Sequence, residues 1–260
     1  MKGKKKTRVI AIASEKGGCG KTTTTCNLSA GLYRSGYKTL MIDLDNQCTL
    51  SKSLYALDEE HSIIQPMAKL APIEESIQDD LAQGHIISSI RTLSTVDILL
   101  DEADKMFALR DAIEPIRDNY DFILLDCPPA LSTITINALV ASDECIIPTE
   151  AKTFGLKGVE EVARTINIVR KRYNPSLRIT GILITRYNGR AILSQDVRQV
   201  LEQVAKEMGT KVFAQPIREN IAIAESQAYL TDIFAGAPNS NGAKDYRALV
   251  EEVLADGERP

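Results

Sequence analysis

Seven residues near the start of the chain, Lys16-Gly17-Gly18-Cys19-Gly20-Lys21-Thr22, combine glycines, lysines and a threonine in a spacing suited to holding phosphate. Glycines let the backbone turn its N–H groups inward around phosphate oxygens, where side chains would collide. In such a loop Lys21 reaches the β- and γ-phosphates, the Thr22 hydroxyl meets a magnesium ion, and Thr23 continues the cradle. The standard pattern has a glycine five residues before Gly20, where this chain has Glu15, and it has a second lysine, Lys16, ahead of the glycine pair. Acids complete the set. Asp43-Leu44-Asp45-Asn46-Gln47 follows one apolar run, and Asp126 ends another, Phe122-Ile123-Leu124-Leu125. An aspartate so placed holds magnesium through water, because magnesium dehydrates reluctantly.

These residues need elements that bring strand ends together. Val9–Ala13 reads as a buried strand, and Thr22–Ser35 as a helix with Leu28 and Leu32 on one face, ended by Gly36. The glycine-rich loop therefore sits between strand and helix, the context the motif requires. Thr39–Ile42, Val96–Leu100, Phe122–Leu125, Cys145–Ile147 and Ile179–Ile184 read as further strands. Helices are expected over Lys105–Ile116, Ile134–Ala141, Leu156–Arg172, Leu193–Met208 and Asp245–Leu254, with helical fragments at Leu50–Leu57 and Ile73–Gln83. Wholly apolar strands alternating with helices predict an α/β fold: a doubly wound, mostly parallel sheet with helices on both faces. Ligands of such sheets bind at the carboxyl ends of the strands, where Asp43, Asp45 and Asp126 stand.

The 260 residues fit one domain over 1–260, with a basic, flexible start at 1–7 and a frayed end at 256–260. A net charge of -4 argues against a protein coated in positive charge, although a local basic patch is compatible with it. No apolar run approaches the 18 or more residues that span a bilayer. The five cysteines lack CxxC spacing and are odd in number, which fits free thiols in a reducing cytosol better than disulfides or a zinc site. The expected location is cytoplasmic.

The loop from Lys16 to Thr22 resembles the deviant Walker A motif of the ParA/MinD superfamily, close to the ParA/Soj partition ATPases. Asp43-Leu44-Asp45-Asn46-Gln47 resembles the family's switch I, with Asn46 in place of the usual proline, and Asp126-Cys127-Pro128-Pro129 resembles its switch II. The resemblance runs from Val9 to about Leu254. It implies a P-loop NTPase fold, ATP and Mg²⁺ as cofactors, and an ATP-dependent homodimer in which Lys16 crosses to the partner's phosphates. It implies that Asp45 orients the attacking water, that Asp43 supports the metal's water shell, and that turnover is slow until a partner protein accelerates it. Base contacts are implied at Thr185 and Arg186, and at Ile217 and Arg218, where arginine replaces a family proline.

Three uses of such an ATPase compete. The first is DNA partition, in which the dimer binds duplex DNA without sequence preference and a ParB-type centromere-binding protein triggers release, giving a nucleoid-associated protein. Ala222 stands where the family often has a DNA-touching arginine, so the candidate DNA cations are Arg190, Arg198, Arg218, Lys244, Arg247 and the basic start. The loop begins near residue 14, leaving no room for an N-terminal helix-turn-helix. The second use, MinD-like membrane cycling, needs a basic amphipathic C-terminal helix, but Ala248–Pro260 is acidic and lacks aromatic residues, so no membrane partner is expected. The third, an iron–sulfur carrier or reductase, needs paired cysteines that the spacing of Cys127 and Cys145 does not supply. Partition is the reading the sequence favours.

Overall fold

Side chains alternate across a strand, so a strand that is apolar at every position feeds two cores at once. The first strand does this: Val9 and Ala11 point into one buried cluster, Ile10 and Ile12 into another. The structure is a computed structural model that describes residues 6–79, 82–100 and 102–257. The basic start at 1–5 and the end at 258–260 lie outside the described residues. Among the described residues seven strands form one sheet: β1 (Arg8–Ile12), β2 (Thr39–Asp43), β3 (Ile77–Gln78), β4 (His85–Ile87), β5 (Phe122–Asp126), β6 (Glu144–Glu150) and β7 (Arg178–Thr185). Their order is β3-β4-β2-β5-β1-β6-β7. Every pairing is parallel except the edge pair β3/β4.

The α-helices are α1 (Lys21–Arg34), α2 (Thr49–Ser53), α3 (Ile64–Met67), α4 (Ala108–Ile113), α5 (Thr133–Ala141), α6 (Thr153–Arg172), α7 (Ile192–Glu207), α8 (Ile221–Ala228), α9 (Ile233–Gly236) and α10 (Asn241–Asp256). On one face of the sheet, Leu28 and Leu32 of α1 meet Tyr246, Leu249 and Val253 of α10 over Ile10, Ile12 and Leu124. On the other, α4, α5 and α6 bury Leu109, Leu139, Val162 and Ile166 against Val9, Ile42, Ile123 and Leu125. This is the doubly wound, mostly parallel sheet expected from the sequence.

Three local expectations are corrected. Val96–Leu100 is not a strand but the end of a 3-10 helix, Arg91–Ile98, and its continuation. Val96 and Leu100 are buried while Ile98 is 84% exposed, a one-sided pattern that suits a helical turn. The strand in that part of the sheet is β4. Ile73–Gln83 is not helical throughout: a 3-10 turn over Ile73–Ser76 passes into β3, and Asp80 and Leu81 lie outside the described residues. Lys105–Ile116 is helical only over α4, followed by a 3-10 helix over Glu114–Asn119.

Entry into β4 depends on Gly84, whose φ of +102° is open to glycine and strained for other residues. A Cβ there would lie 2.0 Å from Thr39 Oγ1. Gly84→Ala is therefore expected to lower stability by about 2–3 kcal/mol through backbone strain plus overpacking. Gly36→Ala is the control. It shares the left-handed backbone, at φ +89°, but a Cβ meets nothing within 4 Å. Its cost is expected to be about 1 kcal/mol, and urea denaturation midpoints of the two variants would show the difference.

Candidate functional site

β1 ends at Ile12, and the chain then crosses the rim of the sheet before α1 begins at Lys21. Gly18 and Gly20 hold φ of +75° and +87°. A Cβ on Gly17 or Gly18 would meet nothing within 4 Å, so the space beside this stretch of backbone is open. Gly20 packs on Thr185, whose hydroxyl donates to the Cys19 carbonyl at 2.8 Å. Cys19 itself is buried, its thiol 3.2 Å from Lys16 O. Lys21 is 6% exposed and folds back along the loop, Nζ donating to Lys16 O at 3.0 Å.

Beside the loop, parallel pairing sets Asp43 opposite Asp126 at the ends of β2 and β5. The Thr22 hydroxyl donates to Asp126 Oδ2 at 2.8 Å, and Thr25 donates to Oδ1 at 3.2 Å. Asp43 takes the Ser51 N–H and hydroxyl on Oδ2, at 2.9 and 2.7 Å, and the Asp45 N–H on Oδ1 at 3.0 Å. Asp45 in turn accepts the Gln47 N–H at 2.9 Å. Burial pushes the carboxyls of Asp43 and Asp126 above the usual range. The Asp43 charge raises Asp126 further, against the opposing pull of Thr22 and Lys21. The arrangement therefore gathers negative charge beside an all-oxygen donor set, which is what a hard cation such as magnesium prefers.

The opposite lip is basic. Glu150, nearly buried at the end of β6, faces Lys152 at 2.9 Å, Arg186 at 3.2 Å and Lys16 at 3.8 Å, and these cations overcome its burial to lower its pKa. Lys16 has 44% of its side chain exposed. Arg186 takes a left-handed φ of +48°. Thr23 Oγ1 accepts from Gln227 Nε2 of α8 at 2.8 Å.

The structure thus brings Lys16, Gly17, Gly18, Cys19, Gly20, Lys21, Thr22, Asp43, Asp45, Asp126, Thr185 and Arg186 together at the carboxyl end of the sheet. Ile217 is 3% exposed, so its side chain belongs to the core. Arg218 is not an open contact, since its guanidinium closes on Asp245 at 2.6 Å. Among the other expected DNA cations, Arg190 and Lys244 are exposed. Arg198 pairs with Glu202 at 2.9 Å, and Arg247 donates to Pro238 O at 2.8 Å. Sequence reasoning missed Thr25, Ser51 and Glu150. Thr25 was within reach, because it stands one helical turn after Thr22 and shares its face.

A glycine-rich loop between a parallel strand and a helix, with a buried lysine inside and acids at the neighbouring strand ends, defines a P-loop nucleotide-binding protein. An AAA-domain family profile matches residues 7–179. The chromosome-partitioning ATPase Soj of Thermus thermophilus is 38% identical over 250 residues, 96% of each chain. Cobyrinic acid a,c-diamide synthase from Mycobacterium smegmatis, solved with an ATP analogue and magnesium, superposes with a TM-score of 0.84 at 30% identity, covering 97% of this chain and 96% of that one. The septum site-determining protein MinD of Pyrococcus horikoshii, solved with Mg-ADP, gives 0.77 at 29% identity over 96% and 97%. The chain belongs to the ParA/Soj/MinD superfamily of P-loop ATPases.

Proposed function

We propose that this chain is a magnesium-dependent ATPase of DNA partition that acts as an ATP-closed pair of identical subunits. The observation that carries the reading is the contrast between the two lysines of one loop. Lys21 is buried against its own backbone, while Lys16 stands at the lip with 44% of its side chain exposed. Lys21 serves the phosphates of its own subunit, and Lys16 those of the partner.

Within one subunit the backbone from Gly17 to Thr22 and the N-terminus of α1 grip the phosphates. The Thr22 hydroxyl and Asp126 would hold magnesium, whose charge would offset that of the buried acids. Held there, it would supply positive charge against the transferring phosphoryl group. Asp45 positions the attacking water. Asp43, occupied by Ser51 and the Asp45 amide, fixes the loop that carries Asp45. Thr185 and Arg186 border the base. The closed pair binds duplex DNA through phosphate contacts, with Arg190, Lys244 and Arg247 as exposed candidates, and a ParB-type centromere-binding protein stimulates hydrolysis and release. Such a protein works in the cytoplasm, on the nucleoid.

The similarity to a chromosome-partitioning ATPase over 96% of the chain supports this use. A MinD-like membrane cycle is less well supported. The apolar face of α10, through Leu249, Val250 and Val253, is packed against α1, and no described helix is long and apolar enough to cross a membrane. An iron–sulfur role is disfavoured by Cys127 and Cys145, which are buried with thiol pKa values pushed well up by that burial.

Retention of a non-specific DNA duplex tests the reading. Wild type is expected to retain DNA with Mg-ATP, by at least about tenfold over ADP, and to lose it steeply between 50 and 200 mM salt. Lys16→Ala is expected to lose retention. Equal retention with ATP, ADP and no nucleotide would discard it.

A further inference from the structure

α10 reaches α1 and the segment at 211–218 through two neighbouring residues. The Tyr246 hydroxyl lies 3.4 Å from Thr24 Oγ1 in α1, the helix that opens at Lys21. Asp245, 1% exposed, points instead to the segment at 211–218. Its Oδ2 accepts the Arg218 backbone N–H at 2.9 Å. The guanidinium closes on both oxygens, Nη2 to Oδ1 at 2.6 Å and Nε to Oδ2 at 3.0 Å, and Gln215 Nε2 adds a bond at 3.0 Å. Two turns further along the helix, Glu252 accepts the Ala214 N–H at 2.9 Å and pairs with Lys211. A seven-residue spacing places Asp245 and Glu252 on one stripe of the helix, which therefore fastens the segment along its length.

The fastened segment forms a rail beyond β7. The Ile217 N–H donates to Ile184 O at 2.8 Å, Tyr187 N–H to Ile217 O at 3.0 Å, and Glu219 N–H to Tyr187 O at 3.2 Å. Thr185, within the same run, touches the phosphate loop at Cys19. The strand order sets the direction of a bound nucleotide. Asp126 and Asp43 lie over β5 and β2, on one side of β1, while β6 and β7 lie on the other. A nucleotide gripped at the loop, with its phosphate end toward Asp126, would extend its base to the side of β6 and β7, toward the rail at 217–219.

We propose that Asp245 is a positioning residue for the nucleotide base: it sets the height of the rail by holding Arg218, without touching the ligand. The inference rests on the nucleotide reading above. A charged, bidentate pair backed by a backbone N–H is a strong and directional fixing. Asp245→Asn keeps the shape but removes the charge and one acceptor.

The test compares two probes by calorimetry, Mg-ATP and magnesium with inorganic tripolyphosphate, which occupies the loop but has no base. Asp245→Asn is expected to weaken Mg-ATP binding about tenfold, in line with the loss of a charge-assisted hydrogen bond, and to leave tripolyphosphate binding unchanged. In hydrolysis, KM for ATP rises by a similar factor while kcat at saturation changes little. If Asp245→Asn does not fold, Arg218→Lys gives the same readout from the exposed partner, since lysine keeps the charge but not the fork. Equal weakening of both probes, or of neither, would overturn the inference. Failure of wild type to bind either probe would refute the nucleotide reading itself.

Discussion

Lys21→Ala is expected to lower ATP hydrolysis by about a hundredfold or more. Its ammonium is the buried positive charge inside the phosphate loop, 3.0 Å from Lys16 O and close enough to Asp126 to oppose the rise in that carboxyl's pKa. In a dry, preorganised site the removal of one group aimed at developing charge costs about 10²–10³ in rate. The fold should persist, because the substitution removes only one hydrogen bond to a neighbouring carbonyl, about 1 kcal/mol. Phosphate release at saturating Mg-ATP, with a thermal melt run alongside, measures both. Hydrolysis within threefold of wild type would remove Lys21 from the mechanism. Lys16→Ala in the same assay separates the lysines: it should spare Mg-ATP binding by the isolated subunit, which Lys21→Ala weakens.

The second large effect concerns stability and lies at the opposite end of the sheet. Glu144, whose side chain is 1% exposed, opens β6 and accepts Arg8 Nε and Nη2 at 2.7 Å each, Arg178 Nη2 at 3.0 Å and the Thr180 hydroxyl at 2.7 Å. Burial alone would raise its pKa, but Arg8, Thr180 and Arg178 hold it down at about 2, against an ordinary 4.5. A pKa depressed on folding contributes stability that is full above the unfolded value and is lost as pH falls through the folded one. The contribution here is about 3 kcal/mol. Glu144→Gln is thus expected to be about 3 kcal/mol less stable than wild type at pH 7, with the gap narrowing as pH falls from about 5 toward 2. Urea denaturation of both proteins across that range checks it. A gap that stays constant with pH would mean that shape, not charge, holds the junction. Arg8→Ala, which leaves the buried carboxylate with only Arg178 and the Thr180 hydroxyl, should also destabilise the fold, by about 3 kcal/mol.

The legible parts of the fold were those buried on both faces. β1, β2, β5, β6 and β7 stood out by their apolar runs, as parallel strands covered by helices do. β4, three residues long, gave no such signal, and its entry depends on Gly84 and Thr39, which meet only in the folded chain. Val96–Leu100 misled because an apolar run alone does not separate a strand from a one-sided helical turn. The start of α10 was placed four residues late, although Ser240, whose hydroxyl accepts the Ala243 N–H at 3.1 Å, is a recognisable N-cap. Within the site, the loop and its acids were readable because their spacing is local. Ser51, Glu150 and Asp245 were not, because each acts on a residue brought to it by another strand or helix. Arg218 shows the limit from the other side: as a sequence letter it looked available to a ligand, and only its partner on α10 shows that its charge is already engaged.

Glu150 collects three cations against its single negative charge, so the lip carries a local surplus of positive charge on a chain whose net charge is -4. An approaching polyanion meets a net negative chain at long range and a local excess of cations at this lip. The field that steers it extends about 10 Å at 0.1 M salt and about 3 Å at 1 M. Ionic strength therefore acts on the speed of capture as well as on the grip that follows.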